Sequence, residues 1–205
     1  MQSLMLAESP LLPESPDMGD LIRRSEDLIY PTNVSDDHLF DSLARVVRRM
    51  EDDPEGDAVA AIAILVRETV KAPSCSMNCS NWGVPSSRVL ASIRSCSTPS
   101  DARRFLEGIT RTAPANQNWA IMSGILQLIN PTIFPIWTPE IAAKFGVRGY
   151  SAIELNARYA SFCEFVWDSL AAYGSLAQDA VRRHVDCQRT AVHAMSLLLS
   201  WTYRR

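Results

Sequence analysis

The sequence has little of what builds a covalent or metal-bound scaffold. Its five cysteines are an odd set in which only Cys75 and Cys79 lie close together, and no CxxC pair occurs, which argues against a disulfide framework. Three histidines (His38, His184, His193) fall short of the well-spaced ligands of a structural zinc, so neither a metal nor a cofactor is expected. Long apolar runs are missing too. None approaches the roughly 20 residues of a membrane span, and the opening MQSLMLAESPLLPESPD carries no basic stretch ahead of an apolar one. The expectation is a cytoplasmic protein without a membrane partner. Alternating apolar runs with turn chemistry on both sides are scarce, which leaves few strand candidates. Lysine is nearly absent: 18 of the 20 basic residues are arginine, the type suited to bidentate phosphate contacts.

What is there is apolar and helical in period. With 205 residues and 47% apolar content the chain can bury one substantial core, which fits one helical domain over 20–205 behind an N-terminal arm, 1–19, rich in proline, serine and acid. The net charge of −3 is unevenly spread. Residues 1–100 hold 9 basic and 15 acidic groups (−6), and residues 101–205 hold 11 and 8 (+3), so a phosphate-rich partner would meet the second half.

Helical spacing predicts a short helix over 20–29 and an amphipathic one carrying Leu39, Phe40, Leu43, Val46, Val47 and Met50. Another carries Ile62, Leu65, Val66 and Val70, and the next runs from Ser86 through Val89, Leu90 and Ile93. The acidic turn 51–57 lacks the calcium-loop pattern and reads as solvated, whereas the irregular stretch 72–85 is long enough to suspect a role. Thr98, Pro99, Ser100 and Asp101 write a capping box ahead of Phe105, Leu106 and Ile109. After the central stretch come a long helix bearing Leu155, Tyr159, Phe162, Val166, Leu170 and Tyr173, a separate helix over 176–185, and one with Val192, Met195, Leu198, Leu199 and Thr202 in register. The expected fold is all-α, with about eight or nine helices.

The central stretch is SGILQLINPTIFPIWTPEIAAKFG, residues 123–146. Trp119, Met122, Ile125, Leu126 and Ile129 recur at helical spacing, and Asn130 before Pro131 stops the helix near Ile129. Thr138 then reads as an N-cap, with Pro139 at the first helical position, Glu140 in the first turn and Gly146 as a left-handed stop. Read from the residues alone, Trp137 is a core residue or a platform for a base, Thr138 a cap, and Asn130 a turn residue ahead of proline.

An apolar helix, then N-P-x-x-F-P-I-W, then a capped helix resembles the segment of helix-hairpin-helix DNA glycosylases in which a proline-containing turn delivers a catalytic aspartate to the start of a helix. It resembles more closely divergent glycosylase-fold proteins, including phage thymine-hypermodification enzymes of the amino-acid:DNA transferase and glutamyl-putrescinyl-thymidine pyrophosphorylase kind, with the pattern S-K-x-L-H-F-L-N-P-x-x-F-P-I-W-D-S. Ser123, Leu126, Asn130, Pro131, Phe134, Pro135, Ile136 and Trp137 agree with it. Gly124, Gln127 and Thr138 replace its lysine, histidine and aspartate, and each replacement removes a charge or a titratable group.

The resemblance implies a single-domain DNA glycosylase-like fold with a cleft for a base turned out of DNA. A hydroxyl at 138 cannot stabilise the positive charge that base excision develops on the sugar, so no glycosylase activity is expected. The implied reaction replaces the phosphate of a phosphorylated 5-hydroxymethyluracil in DNA with an amino-acid or other amine nucleophile, in a host's cytoplasm if the chain is phage-encoded. Thr138, Arg148 and Gln127 would be catalytic, Arg148 on the leaving phosphate. Ser123, Asn130 and Trp137 would bind the substrate, and Arg103, Arg104, Arg111 and Lys144 would meet nucleic acid. Candidate acids and bases include His184, Asp186, Glu154, Glu164 and Asp168. The competing readings are a non-catalytic DNA-binding protein on the same fold and a helical interaction protein. Oligomeric state is left open by the sequence.

Overall fold

A computed structural model describes residues 17–24, 87–112, 119–145, 152–184 and 189–203. Seven helices and no strand occur among them: α1 (Met18–Arg24), α2 (Ser87–Ser95), α3 (Pro99–Thr112), α4 (Trp119–Ile129), α5 (Pro139–Lys144), α6 (Ala152–Arg182) and α7 (Ala191–Tyr203). The helices expected over 39–50 and 62–70 lie outside the described residues, as does the loop 72–85. No helix among the described residues is long and apolar enough to cross a membrane.

Local chemistry starts these helices, α3 where the sequence indicates and α1 two residues ahead of the expected start at Asp20. The Asp17 side chain accepts from the amides of Gly19 and Asp20 at 2.9 and 3.2 Å, which opens α1. At α3 the box closes in both directions: the Thr98 hydroxyl accepts from the Asp101 amide at 3.2 Å, and the Asp101 carboxylate accepts from the Thr98 amide at 3.0 Å. Helix α4 ends at Ile129, where Pro131 would no longer allow Asn130 a helical conformation.

One expectation is corrected. The segment 176–185 is not a separate helix. Residues 176–182 continue α6, which runs unbroken for 31 residues, roughly 46 Å at 1.5 Å per residue. Gly174, inside that run, is buried, and a Cβ placed on it would come within 3.2 Å of the Ala191 Cβ. The missing side chain lets the start of α7 approach α6 closely, and the tertiary contact offsets glycine's poor helix propensity.

Helices α6 and α7 form the backbone of the fold as an antiparallel pair, closed near the turn by the Gln178 side-chain amide donating to the Arg189 carbonyl at 2.7 Å. Helix α1 lies across both, with Gly19 against the Tyr173 ring, and buries Met18 and Leu21. Helix α3 packs on α6, α2 on α3 and α4, and α5 on α7. One continuous hydrophobic cluster joins all seven, from Met18 through Ile93, Leu106, Leu126, Phe134 and Trp137 to Val166 and Leu198.

Candidate functional site

The turn 130–138 runs through this core as irregular backbone, so its polar groups need partners that no regular element supplies. Side chains supply them. The Thr190 hydroxyl donates to the Pro131 carbonyl at 2.6 Å, the Trp167 indole to the Ile133 carbonyl at 2.7 Å, and the Tyr159 hydroxyl to the Pro135 carbonyl at 2.9 Å. In the other direction the Ile136 amide donates to Ser196 Oγ at 3.2 Å and the Trp137 amide to Ser123 Oγ at 2.8 Å. The Asn130 carbonyl accepts from Ile133 and Phe134. The turn is thus fixed from α4, α6 and the approach to and body of α7, and the position of residue 138 is set by three separate parts of the chain.

Thr138 sits where that fixed turn enters α5. Its φ of −96° and ψ of 161° are those of an N-cap, and its hydroxyl accepts from the Ile141 amide at 3.4 Å. It also lies 3.3 Å from Ser200 Oγ on α7. Trp137, 2% exposed, is enclosed by Phe145, Tyr159 and Phe162 at ring-centroid distances of 5.9, 6.0 and 5.2 Å. Tilted and edge-on ring contacts of this kind are the arrangement of an aromatic core.

The other residues singled out by the resemblance divide clearly. Ser123 is fully buried and holds the Trp137 amide. Asn130 donates one amide group to two carbonyls at the end of α2, Ile93 at 3.0 Å and Cys96 at 2.8 Å, and its own oxygen accepts from the Thr132 hydroxyl at 2.8 Å. Gln127 differs: it is fully buried, and neither its amide nitrogen nor its oxygen has a hydrogen-bond partner. Ser123, Gln127 and Asn130 share one face of α4 at i, i+4 and i+7. Their contacts to Trp137 and to the end of α2 bracket the turn, so Gln127 stands between those two anchors.

Arg148 lies outside the described residues, as do Asp186 and the side chains of Arg111 and Glu154. Arg103 makes a two-point ion pair with Glu164 of α6, Nε to Oε1 at 2.7 Å and Nη2 to Oε2 at 2.6 Å. Arg104 pairs with Asp101 of its own helix at 2.7 Å. Lys144 is exposed in the last turn of α5. Asp168 and His184 are exposed, and partial desolvation of the imidazole, with the Arg183 charge second, lowers the His184 pKa. The structure therefore brings Ser123, Trp137 and Thr138 together, with Gln127 one turn of α4 away, and leaves Arg103, Arg104 and Lys144 on the surface.

Several residues that hold the site were not marked by the sequence reading: Thr190, Ser196, Ser200 and Trp167, while Tyr159 was marked only as part of the long helix. A signal for two of them exists. His193, Ser196 and Ser200 recur at i, i+3 and i+7 along an otherwise apolar helix, which is a polar stripe on a face that must be buried. All three are buried, and desolvation, with the Arg189 charge second, pushes the His193 imidazole down to about 3. Among the described residues no group of three His, Cys, Asp or Glu side chains is placed to hold a metal ion.

Comparison of the chain with protein-family models, with curated proteins and with solved structures finds no match.

Proposed function

We propose that this protein binds DNA, and that its central turn and α5 are a rigid scaffold beneath the binding surface and not a base-excising centre. The observation that carries the non-catalytic part is the engagement of Ser123, Asn130, Trp137 and Thr138 by the fold itself. Ser123 and Asn130 spend hydrogen-bonding groups on backbone partners and Trp137 is enclosed by three rings, so a substrate could engage them only by displacing those contacts. The DNA part rests on the excess of arginine over acid after residue 100 and on the resemblance of residues 123–146 to glycosylase-fold proteins. Affinity for duplex DNA should fall roughly a hundredfold or more between 50 and 200 mM salt if about five phosphates are contacted. Fluorescence anisotropy across that range measures it. Undetectable binding at low salt, or a flat salt response, would count against the proposal.

A second reading is favoured by one observation, the buried and unpartnered amide of Gln127. An amide with donor and acceptor both unengaged is chemically suited to the polar edge of a flipped pyrimidine, as the transferase reading requires. In that reading a phosphorylated 5-hydroxymethyluracil in DNA exchanges its phosphate for an amine. DNA carrying that base, incubated with the protein and a pool of amino acids and polyamines, is digested and its nucleosides weighed by mass spectrometry. A base lighter by phosphate and heavier by the amine supports the transferase. No incorporation by a protein that still binds this DNA leaves the binding module.

A further inference from the structure

We draw no further inference here: the strongest candidate, the side-chain cluster around the fully buried Gln127 amide on α4, whose nitrogen and oxygen have no hydrogen-bond partner, belongs to the site already described.

Discussion

Asn130 shows how a single polar residue can serve two elements. Its amide group satisfies the carbonyls of Ile93 and Cys96 at the open end of α2, and its oxygen holds the Thr132 hydroxyl inside the turn. No other side-chain type offers two donors and an acceptor at that reach with so little volume. Asn130→Ala should therefore cost roughly 2–4 kcal/mol, three hydrogen bonds lost and at least one buried carbonyl left without a partner. Urea unfolding measures it. A loss under about 1 kcal/mol would mean that water replaces the amide and that the residue is a turn former only. Gln127, one turn earlier on the same face, is the opposite case, since its amide is buried with nothing to hold.

At the scale of elements, helix starts are where local chemistry decides most. Hydrogen bonds from the Thr98 hydroxyl, and then from Ser97, hold the Asp101 carboxyl at about 2. A carboxylate whose folded pKa lies below its ordinary 3.8 adds stability above that value and loses the addition as pH falls through about 2. The gap in urea midpoint between wild type and Asp101→Asn should accordingly be full at pH 5 and shrink markedly by pH 2. A gap that does not change would show that the cap works through geometry and not through charge. The same kind of local signal marked α5 by Thr138 and Pro139 and α4 by Pro131. Helix α6 is where local reading failed. Whether Gly174 ends a helix or lets another approach depends on Ala191, which lies on a different element.

The whole molecule responds to pH through one buried residue of α7. His193 is buried on α7, and its imidazole is pushed down to about 3, mainly by desolvation and secondarily by the Arg189 charge. The unfolded chain takes up a proton near pH 6.5 and the folded chain does not until about 3, so folding stability is full above 6.5 and declines as pH falls toward 3. Between pH 7 and pH 5 the loss is about 2 kcal/mol, visible as a lower urea midpoint at pH 5. His193→Gln should remove most of that difference. An equal drop in the variant would place the pH sensitivity elsewhere.

By itself the sequence determined the all-α class among the described residues, the starts of α3 and α5 and the stop of α4, because periodicity, caps and proline act within a few residues of themselves. It also marked residues 123–146 as unusual. Only the tertiary structure decided what those residues do. Trp137 is a core residue because Phe145, Tyr159 and Phe162 close around it. The turn is rigid because Thr190, Ser196, Tyr159 and Trp167, 24 to 60 positions away along the chain, reach its backbone. Burial and hydrogen-bond partnership are properties of pairs, and a pair separated by that much chain exists only once the fold has brought it together.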